Sequence, residues 1–224
     1  MPHPRPGRVV AEKQYADLVL SMAPVSFWRL GERSGTVARD AFGGNHGTYV
    51  GAPTLGVLGA LAGDGSSAAT FDTTGKYATH PAITLGGAAT WLAWVYRTSF
   101  VSATWMAGGF GGTSKLGFTA GKMFARFLNA GASDNTVAAP SPNAAWHMLT
   151  LTRGSDDVVR LYVDTTASVL FGGAAQSGSF GPTVLGIDNA FTQTLGGSLD
   201  EVAIWNRAIT AAEVAALYAA GAGQ

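Results

Sequence analysis

Cysteine is absent from this chain of 224 residues. That excludes disulfide staples, thiolate metal ligands and thiol nucleophiles, so the fold must rest on packing and hydrogen bonds. Charge is scarce, at 12% of residues, and neither sign exceeds the other: 14 Lys and Arg stand against 14 Asp and Glu. A nucleic-acid partner is therefore not expected, because phosphate neutralisation needs a basic excess or patch. No stretch reaches the roughly 18 apolar residues of a membrane-spanning helix, and no membrane insertion is expected. The opening Met1-Pro2-His3-Pro4-Arg5-Pro6-Gly7-Arg8 has no apolar core of a secretory signal, which predicts a chain not exported by a cleaved signal.

What the chain has is glycine and short apolar alternation. Its 31 glycines are scattered and 47% of residues are hydrophobic, enough for one large core of about 70–75% buried surface. Period-two segments recur at short intervals with turn residues between them. Strands are expected at Val25–Leu30, Gly47–Val50, Ala68–Asp72, Tyr77–His80, Thr90–Thr98 and Thr104–Gly108. Lys115–Thr119 and Lys122–Leu128 flank the hairpin signal Ala120-Gly121. Thr136–Ala139, Trp146–Arg153, Val158–Asp164, Val184–Ile187 and Leu199–Asn206 complete the set. The pattern predicts an all-β fold, a two-sheet antiparallel sandwich, as one domain over residues 15–224. In Trp91-Leu92-Ala93-Trp94-Val95-Tyr96 both faces are apolar, so that strand is buried on both sides or covered by a partner subunit.

The two ends differ. Residues 1–14 read as an extended, proline-rich arm, since proline fixes φ and removes donors. A short helix is expected over Tyr15–Met22, where Tyr15, Leu18, Val19 and Met22 repeat at helical spacing. At the other end Thr210-Ala211-Ala212-Glu213 has capping-box spacing, Val214, Leu217 and Tyr218 line one face, and Gly221 is the expected stop.

Three stretches, in order, resemble a laminin-G-like, concanavalin A-like jelly roll. The first is Pro24-Val25-Ser26-Phe27-Trp28-Arg29-Leu30-Gly31-Glu32 with Ala38-Arg39-Asp40 and Asn45-His46-Gly47-Thr48-Tyr49. The second is Trp146-His147 leading through Val159-Arg160-Leu161-Tyr162-Val163-Asp164. The third runs Gly197-Ser198-Leu199-Asp200-Glu201-Val202-Ala203-Ile204-Trp205-Asn206-Arg207 into the last helix. The opening from Tyr15 to Glu32 also resembles domains of bacteriophage tail and capsid-surface proteins. The resemblance implies a jelly roll with first and last strands paired, and Trp28 and Trp205 as packing.

Glycosidases of this fold need two carboxylates about 5–5.5 Å apart, spaced by twos on one strand. Asp156-Asp157 and Asp200-Glu201 are adjacent, which in a regular strand aims them oppositely, and no catalytic role is expected. His3, His46, His80 and His147 lack metal-ligand spacing. Calcium, the only cofactor left open, needs hard oxygens; the resemblance implies Glu32 and Asp200 near the first and last strands, with Asp64 in a Gly-Asp-Gly loop. Carbohydrate contacts are expected from Trp105 and Phe110 in one glycine-flanked loop and Asn129, Asp134 and Asn135 in another. Pro4, Arg5, Pro6 and Arg8 are the expected assembly contacts of the arm.

These expectations describe a non-enzymatic virion protein, a capsid decoration or tail-associated part. It would be held to other virion proteins by its arm, form a homo-oligomer, and present the jelly roll on the virion surface to cell-surface glycans. The alternative is an extracellular bacterial carbohydrate-binding module.

Overall fold

The computed structural model describes residues 8–61, 67–73, 75–85, 87–97, 103–108, 115–119, 122–126, 135–137, 144–155, 158–171, 182–188 and 190–222. Period-two alternation resolves into two antiparallel eight-stranded sheets. The first contains β1 (Ser26–Trp28), β4 (Thr54–Leu58), β5 (Ser67–Phe71), β7 (Ala89–Arg97), β12 (Trp146–Arg153), β13 (Val159–Val163), β14 (Thr166–Phe171) and β16 (Gly197–Trp205). The second contains β2 (Val37–Ala38), β3 (Gly47–Val50), β6 (Tyr77–Thr79), β8 (Ala103–Gly108), β9 (Lys115–Thr119), β10 (Lys122–Arg126), β11 (Asn135–Val137) and β15 (Pro182–Leu185). Strand order is β14-β13-β12-β7-β16-β5-β4, with β1 on β16, and β11-β10-β9-β8-β15-β6-β3-β2. This is the expected jelly roll, with first and last strands paired through Ser26–Ile204, Phe27–Ala203 and Trp28–Val202.

Three strands escaped the pattern. β2 has two residues, β4 is interrupted at Gly56 with φ +72° and a bulge, and β14 follows a tight turn in which Asp164 has φ +57°.

The main core lies between the sheets. Trp28, Phe71, Trp91, Val95, Leu149, Leu161 and Ile204 meet Tyr49, Ala78, Met106, Leu116, Phe118 and Leu185. A second core lies on the far face of the first sheet, where helices α1 (Arg8–Ser21) and α2 (Ala211–Ala222) pack. Tyr15, Val19, Val214 and Leu217 cover Phe27, Leu92, Trp94, Met148, Ala203 and Trp205. The doubly apolar β7 is thus buried on both sides within one chain: Trp91, Ala93 and Val95 face the sandwich, Leu92 and Trp94 the helices. Trp28 and Trp205 are fully buried, each worth about 2–3 kcal/mol of hydrophobic stabilisation.

The start of α1 and the end of α2 depart from expectation. α1 starts at Arg8, so the extended arm does not reach residue 14. The prolines end at Pro6, and nothing after Gly7 prevents helix propagation into the segment that Tyr15, Ala16 and Val19 anchor. α2 is capped as expected: Glu213 N–H donates to Thr210 Oγ1 (3.2 Å) and Thr210 N–H to Glu213 Oε2 (2.7 Å). Gly221 lies inside its last turn, not past it. A Cβ there would stand 2.5 Å from the Trp94 ring, so glycine permits close helix–sheet approach.

Candidate functional site

With the helices on the first sheet, the outer face of the second sheet carries no helix among the described residues. Ala78 and Leu185 point into the main core, so alternation sends Tyr77, Thr79 and Val184 outward. Register aligns Thr48 with Thr79, Thr79 with Val184, and Val50 with Tyr77. Val37, beside Thr48 on β2, is exposed.

An aromatic pair stands at one end of this face. Phe191 and Tyr77 have ring centroids 5.0 Å apart, tilted 51°, a favourable aromatic geometry. Phe191 is held there by a turn rather than by a strand. Asp188 is buried, and its Oδ1 accepts N–H bonds from Thr192 (2.7 Å) and Gln193 (2.9 Å). Asp188 N–H donates to Gln193 O (3.0 Å), and Phe191 N–H to Asp188 O (2.9 Å). Val184 and Ile187 pack beneath Tyr77. Phe191 has φ +58° and leaves 46% of its surface in water. A left-handed, half-exposed phenylalanine is disfavoured on its own and is kept by this network. The result is a preorganised ring pair beside the Thr48 and Thr79 hydroxyls, suited to stacking on a C–H face while hydroxyls exchange hydrogen bonds.

Asp200 and Glu201 occupy a different environment. β16 pairs with β5 at Gly197–Leu199 and with β1 at Val202–Ile204. Between these partners it bulges, with Glu201 at φ +50°. The bulge cancels the opposed orientation expected of adjacent strand residues. Both charges act on the Tyr15 hydroxyl from α1, and each carboxylate is 0% exposed. Asp200 Oδ2 accepts the Ala60 N–H at 2.8 Å, while Glu201 Oε1 accepts from Arg29 Nε (3.0 Å) and Nη2 (2.9 Å). The acids converge under a helix rather than in a groove, and neither reaches solvent where a substrate would sit.

Burial first, and the Glu201 charge second, hold the Asp200 carboxyl well above the carboxylate range. A raised folded-state pKa gives a contribution fully present below the unfolded value of about 3.9. It is lost as pH rises through the folded value. Asp200→Asn should therefore flatten the decline of melting temperature with pH above about 4. Melts from pH 4 to 9 check this; an unchanged slope contradicts it.

Glu32 sits beside β3. Its Oε1 accepts Arg39 N–H (2.8 Å) and its Oε2 the Tyr49 hydroxyl (2.7 Å). Burial, then the Glu32 charge, raise the Tyr49 hydroxyl far above its ordinary value. Glu32 and Asp200 thus each accept from protein donors. No group of three or more His, Asp or Glu among the described residues could hold a metal ion. Asp64 lies outside the described residues. Trp105 lies within β8 and Asn135 opens β11. Phe110, Asn129 and Asp134 fall outside the described residues, as do Pro4, Arg5 and Pro6, while Arg8 opens α1. His147 has a structural partner, its Nδ1 lying 2.9 Å from Asp164 Oδ2.

Sequence reasoning missed Tyr77 and Phe191 as a pair. Tyr77 read as one strand residue among many, and Phe191 belongs to no strand. The available signal was Asp188-Asn189-Ala190-Phe191-Thr192, an Asx-type turn presenting an aromatic residue.

Residues 72–215 match the model of the concanavalin A-like lectin/glucanases superfamily. The chain belongs to this superfamily. No curated protein sequence matches it. Among solved structures, a Trypanosoma rangeli sialidase in complex with sialic acid aligns at TM-score 0.66 and 14% identity, covering 94% of this chain and 37% of the sialidase. The binding domain of paraclostridial mosquitocidal protein 1 aligns at 0.68 and 12%, covering 89% and 52%. Domain 4 of a GH43 extracellular arabinanase from Geobacillus stearothermophilus, in complex with arabinotriose, aligns at 0.64 and 17%, covering 87% and 98%. The chain thus spans 37% and 52% of the first two proteins' lengths, and these likenesses establish the lectin-like fold.

Proposed function

We propose that this chain is a non-catalytic, lectin-like domain that binds a glycan on the outer face of its second sheet. The carrying observation is the Tyr77–Phe191 pair, held by the Asp188 turn beside the Thr48 and Thr79 hydroxyls. A sugar offers an apolar C–H face and a rim of hydroxyls, and this surface offers the complement of each. The complete burial of Asp200 and Glu201 supports a role without bond cleavage. The arabinanase domain, whose structure contains arabinotriose, shares nearly its whole length with this fold.

The setting we propose is the virion surface, as a capsid decoration or tail-associated protein that joins other virion proteins and its own copies through residues 1–8. The phage-like opening from Tyr15 to Glu32 supports it. An extracellular bacterial carbohydrate-binding module is the alternative, supported by the size match to the arabinanase domain. Removing residues 1–7 should abolish incorporation in the first setting and leave glycan binding unchanged in the second.

A glycan array probed with the protein should give a defined set of saccharide ligands. Phe191→Ala should weaken the best of them about tenfold or more, near 1.4 kcal/mol, with the melting temperature little changed. An empty array, or equal binding by Phe191→Ala, rejects this reading.

A further inference from the structure

We infer that the glycan recognised here is acidic, with its carboxylate taken by Arg33 in a groove at the edge between the two sheets, next to the aromatic platform; this rests on the glycan reading above. The groove holds about 490 Å³ and is lined by Arg33, Ser34, Thr36, Tyr49, Pro53 and Leu55 among others. That volume suits about one or two sugar rings. It meets the platform along β3: Val50 pairs with Tyr77, and the next residue, Gly51, enters the groove wall. Gly51, at φ +70°, packs so closely on Gly75 that a Cβ would overlap the Gly75 carbonyl, which fixes groove and platform to each other.

Arg33 is placed, not merely exposed. Gly56, at φ +72°, leaves the space against which the stem of Arg33 lies; a Cβ at that position would stand 3.4 Å from Arg33 Cα and Cγ. The acidic neighbour that could neutralise it is committed elsewhere, since Glu32 accepts from Tyr49 and from the Arg39 N–H. Elsewhere cations close on acidic partners: Arg29 with Glu201, Lys76 with Asp72, Arg207 with Glu213. Arg33 has no ion-pair partner among the described residues. A guanidinium with planar, paired donors, lining one groove with the Ser34 and Thr36 hydroxyls, matches a carboxylate flanked by ring hydroxyls. A neutral sugar would leave that charge unanswered.

The test uses the full chain with a glucuronate-terminated oligosaccharide and its methyl ester, which differ by the charge and one methyl group. By calorimetric or NMR titration at low salt, the acid should bind five- to tenfold more tightly than the ester, with the preference shrinking as salt rises. Arg33→Gln should bring the two ligands to equal affinity. Equal binding of acid and ester by the parent protein, or a preference that survives Arg33→Gln, overturns the inference while leaving the glycan reading intact. Failure of both ligands alongside an empty array removes the glycan reading and this inference with it.

Discussion

Arg29→Met is expected to destabilise the domain by about 3 kcal/mol at neutral pH, toward the lower end for breaking a buried ion pair, because Arg29 itself is one-third exposed. Glu201 is completely buried and receives two bonds from the Arg29 guanidinium. Removing that cation leaves a carboxylate next to Asp200, whose own burial already disfavours charge. The position is sensitive for a topological reason. At this point β16 gives up β5 and takes β1, so its backbone leaves the regular ladder: Glu201 N–H reaches Arg29 O at 3.4 Å, and the Asp200 side chain takes the Ala60 N–H. Denaturant titration measures the loss. Adding Glu201→Met to Arg29→Met should restore part of it, since an apolar pair of similar volume needs no counter-charge. A single variant as stable as the parent would show that the pair contributes nothing.

Gly186→Ala should cost a similar amount, about 3 kcal/mol, for two additive reasons. Gly186 has φ +83°, and an added Cβ would lie 2.5 Å from Cγ of Phe71 and under 3 Å from both Cδ atoms. Phe71 is fully buried in the main core and cannot yield without opening a cavity. Gly186 O also accepts the Leu195 N–H at 2.8 Å, which closes the turn carrying Phe191. The variant should therefore lose glycan affinity as well as stability. Phe71→Leu in the same chain should recover some stability by removing the ring that the added Cβ meets. A Gly186→Ala protein with parental melting temperature would contradict the geometry.

The architecture was legible because the strongest strands state it locally. Trp146–Arg153 and Lys115–Thr119 have the expected bounds, and the capping box at Thr210 forms as written. Pairing of the first and last strands followed from the family resemblance. What the pattern hid were features produced by tertiary contact. The bulge at Asp200–Glu201 arises from a change of pairing partner, which no local window contains. Helix α1 extends to Arg8 because its later turns dock on Trp94 and Trp205, although its opening follows a proline-rich segment. Gly221 reads as a helix stop and acts as a contact with Trp94.

The candidate site was less legible, and for the same reason. Its members come from β3, β6 and the turn after β15, which are far apart in sequence and share a face only after both sheets form. Arg33 was one charge among fourteen basic residues until the contact with Gly56 and the shared groove gave it a position.

The decisive measurement is a backbone amide NMR titration of the intact protein with the tightest saccharide from the array. Perturbed resonances should concentrate on Thr48–Gly51, Tyr77–Thr79 and Ile187–Gln193, leaving α1, α2 and the helix-facing residues of β7 and β16 unchanged. Perturbations centred on the helix-covered sheet, with Tyr77 and Phe191 silent, would contradict the claim that this fold works through its uncovered sheet.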